Sequence, residues 1–343
     1  MEREIWVHFS IVIIARKIND YIREAMPHLQ AQTCRSYEIL IVSESPETET
    51  FENARILTSG RASPARARNI GAREARGEIL VFIDDDAYPA PDWLEKALRD
   101  FQDETVGAVG GPSLVPPGAT FFQHVSNKVF ELSSTRTGRR YSRRKDKVEI
   151  DVWPTCNFFV REKVFEAVGG FSDKYWGGED TTFCYDLIKA GFRMLYDPDL
   201  LVYHHPRKTL KQHLRQIYFW GVWRSFMMKR DDQSVQGLFF APSLLLVWLL
   251  GGAVLSALWL SFRPLYGASW LLYGAYLAVA GFRTKSLRLA LPVAVVTLFS
   301  HLVYGFGFLR GLVSWEDPTR KTLNPSAPVS QAGRVSPTPR AGA

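Results

Sequence analysis

The chain has 343 residues, 46% of them hydrophobic, with a formal net charge of +7 and a pI near 9.3. Three cysteines, Cys34, Cys156 and Cys184, are odd in number and lack metal-ligand spacing, so a disulfide framework or a zinc site is not expected; they read as reduced, mostly buried thiols. The basic excess suits an anionic substrate or a membrane surface, and no nucleic-acid-binding motif accompanies it.

In chain order, "FSIVIIAR" (9–16) reads as a strand buried on both faces, and "INDYIREAMPHLQAQ" (18–32) as an amphipathic helix. The apolar run ahead of Lys17 is short and flanked by charge, so no secretory leader is expected and the first domain belongs in the cytoplasm. "YEILIVSES" (37–45) and "ARILTS" (54–59) read as further strands. "SPARARNIGAREAR" (63–76) is a helix with Ser63 as N-cap, Pro64 at its first position and Gly77 beyond its end. Residues Glu78 to Ile83 then form a buried strand that runs into three consecutive carboxylates, Asp84, Asp85 and Asp86. Such crowding of like charge is unfavourable unless a partner offsets it. The plainer reading is a polar strand exit, with Asp92 capping the helix in "PDWLEKALRDF" (91–101).

A short strand in "VGAVGGPSL" (106–114) follows. Strands alternating with helices at this spacing predict an α/β fold with a doubly wound, mostly parallel sheet, whose ligands bind beyond the carboxyl ends of the strands. The basic run "RRYSRRKDK" (139–147) is either a solvated loop or a segment facing an anion. "TCNFFVREKVFEAVGGF" (155–171) reads as strand, helix and glycine stop, "WGGEDTTFCYDLIKAGF" (176–192) as a glycine turn feeding a helix, and "RMLYDPDLLVYHH" (193–205) as one more strand. From Lys208 to Arg230 aromatic and aliphatic residues mix with Lys and Arg, as in an interfacial helix or an amphipathic core helix.

Polarity then collapses. "LFFAPSLLLVWLLGGAVLSALWLSF" (238–262), "LYGASWLLYGAYLAVAGF" (265–282) and "LALPVAVVTLFSHLVYGFGF" (289–308) predict about three membrane spans. The expected layout is a catalytic domain over 1–207, an interfacial segment over 208–236, a membrane region over 237–313 and a disordered tail over 314–343. Three spans with a cytoplasmic start place residues 283–288, "RTKSLR", inside and the tail outside.

The strands "FSIVIIAR" and "YEILIVSESPETET", the segment "ARARNIGAREARGEILVFIDDD", and "CNFFVREKVFEAVGGF" followed by "WGGED" occur in one order across residues 8–225. This ordered set resembles the family 2 glycosyltransferases, which implies a GT-A fold. The apolar C-terminal region with its "SHLVYGFGFLRGL" ending is similar to bacterial enzymes of succinoglycan-type exopolysaccharide assembly. The resemblance implies an inverting, Mg²⁺- or Mn²⁺-dependent enzyme that moves one sugar from a nucleotide-sugar donor to a lipid-linked saccharide at a bacterial inner membrane. Asp84 and Asp86 match the family's Asp-x-Asp, Asp86 as direct metal ligand and Asp84 nearer the ribose, with Asp85 beside them in the donor site. Elementary charge arguments agree, because a dication makes three clustered carboxylates favourable and stabilises a diphosphate leaving group.

Asp180 matches the catalytic base and Glu179 its neighbour, although an acid in "GGED" also suits the start of a helix. Glu44 stands where the family usually has an Asp that bonds the nucleotide base. Arg68 and Asn69 match a basic and amide pair facing the nucleotide; otherwise Arg66, Arg68 and Arg73 form a solvated helix face. One of His204 and His205 completes the metal site or approaches the diphosphate, with His204 named as the ligand and the choice between the two left open; a satisfied strand-end histidine is the plainer reading. "QIYFW" (216–220) resembles the Gln-x-x-Arg-Trp of processive synthases, but Phe219 replaces the cation, which implies single addition. Two other readings are a polyprenyl-phosphate sugar synthase and a non-catalytic membrane-anchored binding protein.

Overall fold

The computed structural model describes residues 8–133, 136–174, 176–229 and 237–314. The first half alternates as expected: β1 (Phe9–Ala15), α1 (Asp20–Gln30), β2 (Tyr37–Ser43), β3 (Ala54–Thr58), α2 (Pro64–Glu74), β4 (Ile79–Asp84), β5 (Ala87–Pro89) and α3 (Trp93–Asp100). Ser63 caps α2 by accepting the Arg66 N–H, and Pro64 occupies the first turn, where its missing donor costs nothing. Asp92 sits at the N-cap of α3 but makes no capping bond; its carboxylate pairs with Lys96 at 2.7 Å one turn on.

Next come β6 (Val106–Gly110), β7 (Ser113–Leu114), α4 (Phe121–Glu131), β8 (Val148–Glu149), β9 (Asn157–Arg161), α5 (Glu162–Ala167), α6 (Glu179–Lys189), β10 (Arg193–Tyr196) and β11 (Val202–His204). The main sheet has the order β3-β2-β1-β4-β9-β6-β10-β8, and a second sheet has the order β5-β11-β7. The segments 106–114 and 193–205, each expected as one strand, are therefore two strands in different sheets. Gly111-Pro112 breaks the first, since proline has no ladder donor, and the Asp197–Asp199 turn breaks the second, with Asp197 accepting the Asp199 N–H at 2.8 Å.

Strands β1 to β4 are parallel, and β1 lies between β2 and β4, so the winding reverses direction beside β1. Only β9 runs against its neighbours in this part of the sheet, pairing Ile83 with Asn157. That reversal brings the start of β9 to the carboxyl end of β4. Ile11, Ile13, Ile39, Val81 and Ile83 pack on α1 and α3 from one sheet face, while Val12, Leu40, Leu80 and Phe82 pack on α2 and α6 from the other. Both faces are covered, which is why these strands are apolar without alternation.

The C-terminal helices are α7 (Leu210–Met228), α8 (Ala241–Leu258), α9 (Arg263–Phe282) and α10 (Leu287–Val313). Three apolar helices, over Gly237–Leu258, Leu260–Phe282 and Leu287–Val313, are long enough to cross a membrane. They are not a detached anchor. Val293 and Val296 of α10 pack on Val125 and Val129 of α4. Gly307 lets α10 approach the Tyr218 carbonyl of α7, where any Cβ would collide with backbone. Buried His213 bridges Ser126 of α4 at 2.8 Å and Ser300 of α10 at 3.0 Å. The stretch that reads as interfacial thus has one face fixed to α10. The tail beyond Ser314 and residues 230–236 lie outside the described residues.

Candidate active site

The carboxyl ends of β1 to β4 open on one side of the sheet, and Arg16, Glu44, Ser59 and Asp84 from these ends line a single cavity of about 1390 Å³. A cleft at the point where the winding reverses is where doubly wound sheets bind ligands.

Asp84 ends β4, and Asp86 lies two residues on, directly before β5. Antiparallel pairing of β5 with β11 sets His204 opposite Ala87, so its ring reaches Asp86, with Nε2 3.2 Å from Oδ1. Alternation along the strand turns His205 the other way, toward Glu24 at 2.9 Å and the Tyr21 ring. His204, and not His205, therefore joins the carboxylates: ligand atoms of Asp84, Asp86 and His204 all lie within 4.8 Å of one another. Among the described residues, the buried His204 Nδ1 has no hydrogen-bond partner.

The electrostatics show the strain of this crowding. Burial, then the nearby Asp86 and Asp84 charges, push the Asp85 carboxyl up to about 7, against a 2.6 Å hydrogen bond from Asn19 Nδ2. Burial also opposes the Asp86 charge, but His204 and Arg207 outweigh it and hold that carboxyl below the usual range. Arg207 Nη1 lies 3.0 Å from Asp86 Oδ2. Two carboxylates and an imidazole at this spacing, with a buried nitrogen unpartnered and a neighbouring acid driven toward neutrality, fit a divalent cation.

Arg68 connects the two acidic motifs. Its guanidinium is buried, donating to Glu179 Oε1 at 2.5 Å and lying 3.3 Å from Asp84 Oδ1. It is a brace between β4 and α6 as well as part of the cavity wall, while Arg66 and Arg73 stay on the outer, solvated side of α2. Burial pushes the Glu179 carboxyl up, with Arg68 opposing and Asp180 adding to the rise. Asp180 lines the cavity, and one of its oxygens, Oδ1, accepts the Thr181 N–H at 2.7 Å. The helix N-cap itself is Gly178, whose φ of +89° suits glycine. A Cβ at Gly178 would strike Met227, and one at Gly177 would lie 2.5 Å from the Trp223 ring, so this loop is seated directly on α7.

Glu44 reaches the cavity from the end of β2, with Arg16 3.9 Å away. Asn69 is not brought together with the others. Its amide donates to the Phe171 carbonyl at 2.8 Å and accepts the Phe171 N–H at 2.9 Å, which pins the glycine turn after α5.

The run at 139–147 is solvated at Arg139 and from Arg143 to Lys147, but Arg140 and Tyr141 turn inward. Arg140 is 7% exposed, lines the cavity, and donates to the Tyr141 hydroxyl at 2.6 Å and to Cys156 Sγ at 3.3 Å. Lys147 bridges Asp100 and Asp197, and Arg143 pairs with Asp199. Arg140 and Arg207 are site cations that sequence reasoning missed; the signals were the place of Arg140 in the basic run 139–147 and of Arg207 at the head of the basic segment "RKTLKQHLRQ" (207–216). The three cysteines are free, with Cys156 and Cys184 buried as expected.

The sequence model of "Glycosyl transferase family 2" matches residues 10–169. Among curated relatives, the pre-mycofactocin glycosyltransferase of Mycobacterium tuberculosis is 28% identical over 54% of this chain, which spans only 39% of that relative's length. The succinoglycan biosynthesis protein ExoA of Rhizobium meliloti is 24% identical over 80% of this chain and 81% of its own. A Methanococcus voltae enzyme named dolichyl N-acetyl-alpha-D-glucosaminyl phosphate 3-beta-D-2,3-diacetamido-2,3-dideoxy-beta-D-glucuronosyltransferase is 23% identical over 89% of this chain and 97% of its own. The fold matches the Pyrobaculum calidifontis mannosyltransferase PcManGT, solved with GDP-Man and Mn²⁺, at a TM-score of 0.62 and 20% identity over 91% of this chain and 88% of that one. Residues 10–169 thus match the family 2 glycosyltransferase model, their sheet shares the GT-A fold of that mannosyltransferase, and apolar helices long enough to cross a membrane follow.

Proposed function

We propose that the protein transfers one sugar, with inversion, from a nucleotide-sugar donor to a lipid-linked saccharide during exopolysaccharide or cell-surface glycan assembly at a bacterial inner membrane. One observation carries this reading: the cavity that begins at Asp84, Asp86 and Asp180 continues without a break to Leu245, Tyr273, Tyr276 and His301 on the apolar helices. A soluble acceptor needs no such continuation, whereas an acceptor whose sugar is tethered to a lipid must reach the base from the bilayer.

Asp84, Asp86 and His204 would hold the divalent cation, which when bound supplies charge to stabilise the diphosphate leaving group. A nitrogen donor in the set favours Mn²⁺ over the harder Mg²⁺. Glu44 faces the nucleotide end from β2, and Arg68 holds Asp84 and Glu179 in register. Asp180 takes the proton of the acceptor hydroxyl through Oδ2, since Oδ1 is engaged by Thr181. Phe219 leaves the Gln216–Trp220 pattern without its cation, in keeping with single addition.

The reading is tested by incubating the purified full chain and Mn²⁺ with single nucleotide sugars and bacterial lipid extracts, followed by mass spectrometry. A lipid-linked saccharide heavier by one hexose-type residue supports it. A product in which the sugar sits directly on a polyprenyl phosphate replaces it with the phosphate-acceptor activity.

A further inference from the structure

The helix α7 has two unlike faces. Gly221, Val222 and Ser225 meet α10, while the opposite face lines the cavity from Gln212 to Met227 at three- and four-residue steps. Two arginines stand on that cavity face. The Arg215 guanidinium lies 5.6 Å from the Phe219 ring centroid, and that of Arg224 lies 4.4 Å from the Phe239 centroid. Among the described residues neither pairs with a carboxylate, in contrast to Arg68 and Arg207.

Their surroundings differ. Arg215 is exposed, whereas Arg224 is half-buried. Arg224 also adjoins Trp223 and stands three residues before Met227 on α7, the two residues on which the Gly177-Gly178 loop leading to Asp180 is seated. On its other side the wall is Phe239, at the entry to α8, and Tyr304 of α10. Among the described residues Arg224 is held by a ring and not by a carboxylate, and a half-desolvated cation so held is poorly compensated until an anion arrives. The two arginines are roughly 13 Å apart along the helix, too far for one phosphate to use both equally.

We propose that Arg224 binds the phosphate of the acceptor's lipid carrier, a polyprenyl pyrophosphate, at the junction between the glycan and the lipid tail. The glycan then points toward Asp180, and the tail leaves along the α8 wall past Leu245. This assignment rests on the lipid-linked reading above and names the residue that reads the carrier.

The test uses the full chain in detergent micelles with Mn²⁺, and sugar-free polyprenyl pyrophosphate as the probe. Its affinity is measured by native mass spectrometry, alongside the acceptor KM. Arg224→Gln is expected to weaken the probe and raise the acceptor KM roughly ten- to hundredfold, the scale of a lost charge-assisted hydrogen bond. Arg224→Lys is expected to recover part of this, and Arg215→Gln to cost about fivefold or less, as for an exposed charge. Equal losses at both positions, no loss at Arg224, or equal competition by phosphatidylglycerol vesicles would each overturn the assignment. If the wild-type chain binds no polyprenyl pyrophosphate and transfers sugar to lipid-free acceptors, the lipid-linked reading fails first. If the wild type binds the probe and Arg224→Gln binds it equally well, only the assignment fails.

Discussion

Asp180→Asn separates chemistry from structure at the first turn of α6. Asp180 Oδ1 accepts the Thr181 N–H at 2.7 Å and the Thr181 hydroxyl at 3.3 Å, and an asparagine carbonyl can accept both. What the substitution removes is basicity at Oδ2, together with a first-turn charge worth about 0.3–1 kcal/mol to the helix. A positioned base contributes roughly 10²- to 10⁴-fold to rate, about 2.7–5.4 kcal/mol of barrier. The variant should therefore melt close to wild type, bind donor as wild type does, and lose kcat by that factor. Its neighbour should behave in the opposite way. Glu179 is 8% exposed and accepts from Arg68 at 2.5 Å, so Glu179→Gln leaves the buried guanidinium with Asp84 as its one ion-paired carboxylate among the described residues. Breaking a buried pair on one side costs about 3–5 kcal/mol, which a urea melt of the full chain in micelles would register. Turnover with donor and lipid extract, read beside the melts, completes the assay. An Asp180→Asn enzyme retaining more than about a third of wild-type turnover would refute the base assignment.

Asp86→Ala should weaken the diphosphate donor far more than the free nucleoside, and calorimetry showing equal donor affinity with and without chelator would remove the metal from the site. Without metal, Asp85 contributes stability that is present below its ordinary value of 3.8 and lost as pH rises through about 7. A dication reverses that preference, so the rise in melting temperature on adding Mn²⁺ should grow from pH 5 to pH 8, and a flat response would argue against binding at the triplet. Gly307→Ala puts a Cβ against the Tyr218 carbonyl and should cost about 1–3 kcal/mol by thermal melt through loss of α7–α10 contact. Cutting the chain before residue 237 should give an aggregating domain, and not a freely released one, because Val125, Val129 and Ile217 lose their cover from α10. A monomeric truncated chain on size exclusion would show that cover to be dispensable.

The sequence by itself determined the alternating core, the acidic strand end and the apolar helices, because each is written in consecutive residues. Buried parallel strands must be apolar throughout, an N-cap must precede its helix, and a span needs about twenty apolar residues. The candidate base and the Asp-x-Asp were legible for the same reason: each motif is continuous in the chain. What the tertiary structure decided is everything that depends on distance between elements. His204 rather than His205 meets Asp86 because β5–β11 pairing chooses the face, and a one-residue slip would have reversed the choice. Arg68 became a brace because the Glu179 carboxylate, 111 residues away in the chain, folds onto it. Asn69 was drawn off to Phe171, and Arg140 and Arg207 were drawn in from runs that look solvated, since composition carries no record of which cation a distant carboxylate or thiol will meet. The junction of cleft and membrane helices is likewise tertiary: His213 can tie α4 to α10 only after residues 126, 213 and 300 have been brought into contact.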